Sequence, residues 1–173
     1  TLFPYTTLFR SALNPGAGWP NKKWPPEYFV QLGKALHKDH LLTPIIFWGP
    51  GEEDIRDKIY RGLKDLSSPV LVAPKTSVRE LAVLISQMNF FVGGDTGPTH
   101  MAGMLGIPTV SIFGASDGKR NRPWPENSSL MIQRQEIDCV PCWERKCPLT
   151  GNDHIKCLTQ IKPDDVMKKI SEH

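Results

Sequence analysis

Residues 93–102, with the sequence GGDTGPTHMA, combine a carboxylate, an imidazole and several small residues within ten positions. Asp95 follows an apolar run typical of a buried strand, and an apolar stretch typical of a short helix comes after it. Pro98 suits the first position of that helix, which needs no backbone donor. Amides at a helix start bind anions, and a neighbouring carboxylate accepts hydrogen bonds from hydroxyl groups. The segment therefore predicts a phosphorylated, hydroxylated ligand.

The backbone amides expected to be free for this ligand are those of Thr96, Gly97, Thr99 and His100. A purely structural role is the alternative for the same segment. Asp and Thr are common helix caps, Gly-Pro is common in turns, and the histidine could be hydrogen-bonded within the fold.

Other predicted strand ends carry related chemistry. Residues 16–18 read Gly-Ala-Gly ahead of Lys22, so a phosphate could approach the backbone and be neutralised by an ammonium. Beyond the next strand, Glu52 and Glu53 stand where an acid can hold ribose hydroxyls. The structural alternative for residues 16–18 is an ordinary glycine turn. For Glu52 and Glu53 it is a position at a helix start, where acids interact favourably with the helix dipole. Residues 113–117 form a weaker candidate loop, and we expect all these loops to converge at one sheet edge.

Short apolar strands alternate with amphipathic helices along the chain. This pattern predicts an α/β fold, a Rossmann-like parallel sheet with helices on both faces. Strands are predicted at 13–14, 44–48, 69–73, 89–92, 108–113 and 130–133, and helices at 26–37, 52–63, 78–87, 98–105 and 163–170. The dinucleotide pattern Gly-x-Gly-x-x-Gly would need a third glycine at Asn21, and no Walker loop is present.

Composition narrows the function classes further. The formal net charge is only +3, with no basic stripe, so nucleic acid is not an expected partner. No apolar run in the sequence is long enough to span a membrane. Residues 1–11 resemble an in-frame translation of a DNA sequencing adapter, so we expect the natural domain to occupy residues 12–173.

A cysteine-rich loop is predicted at residues 137–160, with His154 beside the thiols. The cysteines are Cys139, Cys142, Cys147 and Cys157. They could bind zinc tetrahedrally, although the spacing departs from two paired Cys-x-x-Cys knuckles. They could also pack as reduced thiols, or form disulfides, which are disfavoured in reducing compartments.

Six motifs occur in an order that resembles one known family. They are Lys22-x-Trp24-Pro25, Trp48-Gly49 with its acids, Lys75-Thr76-Ser77, Asp95-Thr96-Gly97-x-x-His100-x-Ala102, Gly106-x-Pro108-Thr109 and Phe113-Gly114. Over residues 14–170 the chain resembles the C-terminal domain of the bacterial ADP-heptose:lipopolysaccharide heptosyltransferases, glycosyltransferase family 9. The cysteine-rich tail is most similar to the heptosyltransferase II branch. The resemblance implies the C-terminal half of a GT-B fold, which binds the nucleotide-sugar donor.

The resemblance also implies a role for each matching residue. Lys22 would contact the donor diphosphate, and Thr96 and Gly97 would supply amides to the phosphates. Glu52 (or Glu53) would contact the ribose, and Lys75 and Thr76 would contact the adenine. Asp95 would contact the heptose, and His100 would support the Asp95 loop. The family's phosphate loop often carries hydroxyl residues where this chain has Ala17 and Gly18. Phosphate contact there would have to come from backbone amides.

The implied reaction is metal-independent transfer of heptose from ADP-heptose to the inner core of lipopolysaccharide, at the cytoplasmic face of the inner membrane. No cofactor is expected. The general base would lie in an N-terminal acceptor domain, which we expect to be missing before Leu13, so this fragment is expected to be inactive alone. A family 9 relative that uses another nucleotide sugar and a non-catalytic nucleotide-binding module are the alternatives.

Overall fold

Parallel strands build the centre of the computed structural model, which describes residues 9–172. The strands are β1 (Arg10–Asn14), β2 (Thr43–Ile46), β3 (Leu71–Val72), β4 (Phe90–Gly94), β5 (Thr109–Phe113) and β6 (Ser129–Gln133). They form a six-stranded sheet in the order β3-β2-β1-β4-β5-β6, and each neighbouring pair is parallel. The predicted Rossmann-like parallel sheet is therefore confirmed.

Helices connect successive strands and cover the sheet. They are α1 (Pro26–His40), α2 (Glu53–Leu63), α3 (Val78–Ser86), α4 (Gly97–Met104), α5 (Gly118–Asn121), α6 (Lys156–Thr159) and α7 (Pro163–Ser171). Single 3-10 turns occur at Pro20–Lys22, Glu126–Ser128 and Gly151–Asp153. No helix in the described range is long and apolar enough to cross a bilayer.

The sheet has an apolar core on each face because side chains alternate along a strand. In β1, Leu13 joins the cluster formed with α1, α2 and α7, whereas its neighbour Ala12 joins the cluster formed with α3 and α4. Phe91 and Val92 divide between the two faces in the same way. Near-continuous apolar strands of this kind are typical of a sheet buried on both sides.

Strand β1 begins three residues earlier than the sequence pattern predicts. Its first residue, Arg10, accepts a hydrogen bond at its carbonyl from the Asn89 amide (2.9 Å) and donates its own amide to Asn89 Oδ1 (2.8 Å). Ser11 pairs with both flanking strands. Of the segment predicted to be adapter-derived, residues 1–8 lie outside the described residues, and its origin stays a prediction.

Helix ends differ from the sequence prediction by up to three residues. Helix α1 continues to His40, because Leu41 adopts a left-handed conformation (φ 54°) that returns its amide to the carbonyl of His37 at 3.0 Å. Because a residue in this conformation is usually glycine, the leucine at position 41 gives little indication that the helix ends there. Helix α3 begins as its sequence suggests, because Ser77 and Glu80 form a capping box.

Candidate functional site

The loops that follow strands β1 to β4 line one cavity of about 650 Å³ at the carboxyl edge of the sheet. The predicted site residues that line it are Lys22, Glu52, Lys75, Thr76, Asp95, Thr96 and Gly97. Glu53 is the first residue of α2 and lies outside this lining. His100 also lies outside it, but its ring contacts Asp95. The expected convergence of separate loops on one edge is thus observed.

Asp95 is the hub of a hydrogen-bond network inside the cavity. Lys22 Nζ donates to Asp95 Oδ2 at 2.6 Å, Ser116 Oγ donates to the same oxygen at 2.7 Å, and His100 Nε2 lies 3.1 Å from Oδ1. Asn121 Nδ2 approaches Oδ2 at 3.5 Å. The carboxylate is only 9% exposed, and the Lys22 side chain is 15% exposed. The network therefore fixes an ammonium group at the cavity wall.

The pKa of Asp95 reflects this competition between burial and hydrogen bonding. Burial alone would raise the pKa, but the hydrogen bonds from Lys22, Ser116 and His100 outweigh it, so the pKa falls below its ordinary value of 3.8. Asp95 is consequently ionised at neutral pH, as an ion pair with Lys22 requires.

Ser116 and Asn121 are further neighbours of Asp95 to which sequence reasoning assigned no role. Residues 113–117 were only a weak candidate loop, and residue 121 was not considered. Ser116 is fully buried directly beyond β5. Its position after a predicted strand end is the one signal that could have identified it, since polar side chains at this edge face the ligand crevice.

Gly94 lets the Lys22 turn approach the end of β4. A Cβ at Gly94 would lie 2.7 Å from the Lys22 carbonyl oxygen, which is shorter than real Cβ contacts allow. The backbone of the 3-10 turn Pro20–Lys22 can therefore lie directly against the strand only because this residue lacks a side chain. That close approach places Lys22 beside Asp95, one residue beyond.

Helix α4 starts one residue earlier than predicted, which corrects two expectations. Its first residue is Gly97, so Pro98 occupies the second position. The His100 amide donates to the Thr96 carbonyl at 3.1 Å and is not available to an anion. Thr96 has an extended backbone (φ −143°) in the N-cap position, which begins the helical hydrogen bonding one residue sooner. Gly97 lines the cavity, and a Cβ added to it would meet nothing within 4 Å.

Glu52 joins the loops after β1 and β2. Its Oε2 accepts a hydrogen bond from the Gly49 amide at 2.8 Å. The carboxylate also occupies the space beside Gly16, where a Cβ would overlap it. A carboxylate held this way by glycine backbones can accept further hydrogen bonds from ligand hydroxyls on the cavity side.

Trp48 forms an aromatic wall of the cavity that sequence reasoning noted only as part of a motif. Its Nε1 donates to the Ala73 carbonyl at 2.7 Å, which fixes the ring. The Arg56 guanidinium lies 4.3 Å from the ring centroid and Lys75 Nζ lies 5.8 Å from it. Together with the apolar side chain of Leu81, this wall suits a flat heterocycle.

The cysteine-rich loop borders a second, smaller cavity of about 70 Å³. All four thiols line it, and Cys157 is buried whereas Cys139 is exposed. Burial raises the pKa of the Cys157 thiol to about 11, and the other three cysteines contribute to the increase. Cys157 is thus a neutral thiol at neutral pH, unsuited to act as a nucleophile.

Comparison with known proteins identifies one family. Residues 10–152 match glycosyltransferase family 9 (heptosyltransferase). The chain is 30% identical over 164 residues to lipooligosaccharide heptosyltransferase 2 of Campylobacter jejuni subsp. jejuni serotype O:6, covering 92% of this chain and 50% of the relative. It is 33% identical over 155 residues to lipopolysaccharide heptosyltransferase 3 of Escherichia coli K12, covering 83% and 44%. The chain spans about half the length of the curated relatives it matches.

Solved structures share the same fold. E. coli heptosyltransferase WaaC with ADP matches with a TM-score of 0.72 at 20% identity, over 98% of this chain and 45% of that one. E. coli ADP-heptose lps heptosyltransferase II matches with a TM-score of 0.74 at 20% identity, over 95% and 46%. At this identity the likeness concerns the fold, and it agrees with the predicted half of a GT-B molecule.

Proposed function

The chain belongs to glycosyltransferase family 9, and on that premise we propose that it supplies the donor site for heptose transfer from ADP-heptose to the inner core of lipopolysaccharide. The family predicted from the ordered motifs is confirmed by the match over residues 10–152. The curated relatives are named as heptosyltransferases of lipooligosaccharide or lipopolysaccharide. Because the chain spans about half of their length, the whole reaction belongs to the proposal.

The observation that carries the proposal is the Lys22–Asp95 ion pair in the large cavity, with 2.6 Å between Nζ and Oδ2. The ammonium lies at the same cavity as the start of α4, where the helix dipole and the amides of Thr96 and Gly97 favour an anion. We assign the donor diphosphate to this position. Asp95 holds Lys22 in place and accepts a hydrogen bond from a hydroxyl of the heptose.

The remaining cavity residues fit the adenosine part of the donor. Glu52 is assigned to the ribose hydroxyls, because its carboxylate is fixed by the Gly49 amide at the cavity wall. Lys75 and Thr76 are assigned to the adenine, and Trp48 supplies a flat surface beside them. His100 is assigned a supporting role through its contact with Asp95.

The proposed chemistry needs no metal ion for transfer. As the bond to the sugar breaks, ADP leaves with added negative charge, which Lys22 and the α4 amides stabilise. A general base of the acceptor domain removes the proton of the acceptor hydroxyl. The proposed acceptor is a sugar of the lipopolysaccharide core, and we expect the reaction at the cytoplasmic face of the inner membrane.

Calorimetric titration of ADP-heptose tests the proposal with neighbouring lysines as a matched pair. Lys22→Ala is expected to weaken binding at least 10-fold, or about 1.4 kcal/mol, because it removes the cation at the diphosphate. Lys23→Ala is the control, since Lys23 adjoins Lys22 in sequence but does not line the cavity. Equal affinity of the two variants would contradict the assignment.

Competing ligands separate the proposed donor from the alternatives. UDP-glucose and NAD are titrated in competition with ADP-heptose at the same site. Preferential binding of UDP-glucose would indicate a family 9 enzyme with another nucleotide sugar. ADP-heptose binding without transfer by the full-length protein would indicate a nucleotide-binding module instead.

A further inference from the structure

The amide side chain of Gln133, at the end of β6, joins three backbone groups of one loop. Its Nε2 donates to the Ser116 carbonyl at 2.6 Å and to the Gly114 carbonyl at 3.3 Å. Its Oε1 accepts a hydrogen bond from the Gly118 amide at 3.1 Å. Both donor hydrogens and the oxygen of the side chain are thus used within residues 114–118, which connect β5 to the start of α5.

The chemistry of this loop determines the orientation of the Gln133 amide. Two carbonyl oxygens face one end of the side chain and a backbone N–H faces the other. The NH₂ group must therefore point to the carbonyls, because the opposite orientation would bring oxygen against oxygen. The position requires a side chain that donates at one end and accepts at the other, and glutamine is the residue of this length that does both.

The same loop is packed closely between β6 and the turn that carries Lys22. A Cβ at Gly118 would lie 3.0 Å from Gln133 Oε1, and a Cβ at Gly114 would lie 3.1 Å from the Asn21 carbonyl oxygen. Both glycines thus allow close contacts on the two sides of the loop. A shift of the loop backbone would consequently be transmitted to the wall of the donor cavity.

Ser116 links the loop to the ion pair of the donor cavity. Its side chain is fully buried, and its Oγ donates to Asp95 Oδ2 at 2.7 Å. The same carboxylate oxygen accepts from Lys22 Nζ at 2.6 Å. Because Gln133 holds the carbonyl of Ser116 and the hydroxyl of Ser116 holds Asp95, two hydrogen bonds connect the end of β6 to the ion pair.

We propose that Gln133 is a positioning residue of the donor site, which holds residues 114–118 so that Ser116 orients Asp95 and, through it, Lys22. Gln133 itself lies outside the lining of the donor cavity, so it acts through Ser116 rather than on the ligand. The inference rests on the proposed function for the assignment of Lys22 to the donor diphosphate.

Calorimetric titration of ADP-heptose into variants of the full chain tests the proposal. Gln133→Met keeps the length of the side chain and removes all three hydrogen bonds, so we expect about 5-fold weaker binding. Gln133→Glu keeps the acceptor for the Gly118 amide but loses the donors to Ser116, and it should weaken binding as well. Gln135→Met is the control, because it makes the same change at an exposed position two residues later. Urea unfolding checks that each variant is folded under the conditions of the titration.

A double-mutant cycle tests whether Gln133 acts through Ser116. Ser116→Ala alone is expected to weaken binding about 5-fold, because it removes one hydrogen bond to the Asp95 carboxylate. The combination with Gln133→Met should also weaken binding about 5-fold, since both changes act on the same contact. Independent effects would multiply to about 25-fold and would overturn the proposal.

A measurement without the donor separates this inference from the proposed function. Burial raises the pKa of Asp95, and the hydrogen bonds from Lys22, Ser116 and His100 lower it. Lys22 and His100 stay unchanged in these variants, so misplacing the Ser116 hydroxyl should raise the pKa of Asp95 in ligand-free Gln133→Met, but not in Gln135→Met. Titration of the Asp95 carboxyl carbon by NMR measures it.

The two arms give distinct outcomes. An Asp95 pKa equal to that of the wild type would overturn the positioning role, even if Gln133→Met unfolded at lower urea concentration, because a purely structural role predicts that result. A raised Asp95 pKa in Gln133→Met would support the positioning role, even if wild-type protein failed to bind ADP-heptose. That failure would contradict the donor assignment alone.

Discussion

At the scale of single residues, Asp95 combines a largely buried side chain with several hydrogen-bond donors. Lys22 lies in the turn Pro20–Lys22, Ser116 in the loop after β5 and His100 in helix α4, yet all three reach one carboxylate. An ionised group in this environment is stable only while its donors stay in place. Asp95 therefore connects the stability of the loops to the charge state of the site.

Replacing Asp95 should make stability depend on pH in a defined direction. Because the pKa of Asp95 in the folded protein lies below 3.8, its contribution is fully present above about pH 5 and is lost as pH falls through the folded pKa. Asp95→Asn should lower the free energy of unfolding by about 1.5–3 kcal/mol at pH 7, and the difference should shrink below pH 3.8.

Urea unfolding of both proteins from pH 7 to pH 3 measures this difference. Asp39→Asn is the control, because Asp39 is exposed near the end of α1 and does not line the cavity. A difference between wild type and Asp95→Asn that stays constant down to pH 3 would remove Asp95 as the source of the effect.

Sequence reasoning found part of this network and missed part of it. Asp95 was identifiable because it directly follows two glycines after a strand-like run, and Lys22 because it follows the Gly-Ala-Gly loop at residues 16–18. Ser116 was only part of a weaker candidate loop, and Asn121 was not singled out, because small polar residues are common in loops. Their contact with Asp95 depends on the packing of β5 beside β4, which no local pattern specifies.

At the scale of elements, the contact between the Pro20–Lys22 turn and strand β4 controls the site geometry. Gly94→Ala should destabilise the protein by about 1–3 kcal/mol, because the added Cβ would lie 2.7 Å from the backbone oxygen of Lys22 and neither backbone can yield easily. Thermal and urea unfolding measure the change.

Gly18→Ala is the matched control for that substitution. A Cβ at Gly18 would meet nothing within 4 Å, so stability should be unchanged or slightly raised. If both alanine variants unfolded at the same urea concentration, the close approach at Gly94 would not constrain the turn.

The types of the longer elements were predictable from periodicity, whereas the four-residue helices α5 and α6 and the ends of the elements were not. The apolar positions Phe29, Leu32 and Leu36 of α1 recur at helical spacing and are buried as expected. The ends depend on single backbone conformations, such as the left-handed Leu41. The start of α4 was predicted one residue late because the proline there suggested the first helical position.

At the scale of the whole molecule, donor binding should stabilise the fold. A ligand that binds only the folded state at 100 times its Kd adds about 2.7 kcal/mol to the free energy of unfolding. ADP-heptose should therefore raise the urea midpoint of the wild type, and Lys22→Ala should need a higher concentration for the same shift. An unchanged midpoint at saturating ADP-heptose would contradict binding to the folded chain.

The overall architecture followed from the sequence more completely than the site did. Two apolar clusters on opposite faces, joined by alternating side chains, are a direct consequence of strands that are apolar throughout. The cysteine-rich loop was the hardest part of the fold to predict from the sequence, because its irregular backbone gives no periodic pattern. Only the structure shows that its four thiols share one cavity.

The order of the strands explains the position of the Lys22–Asp95 ion pair, which local chemistry alone does not. The chain runs outward from β1 through β2 and β3, then crosses back and runs outward on the other side through β4, β5 and β6. The connections therefore diverge between β1 and β4, a topological switch point that opens a crevice in sheets of this kind. Lys22 follows β1 and Asp95 follows β4, so their contact bridges that divergence. The path of the backbone itself thus determines where a ligand enters, and the loops can vary in sequence without moving the entrance.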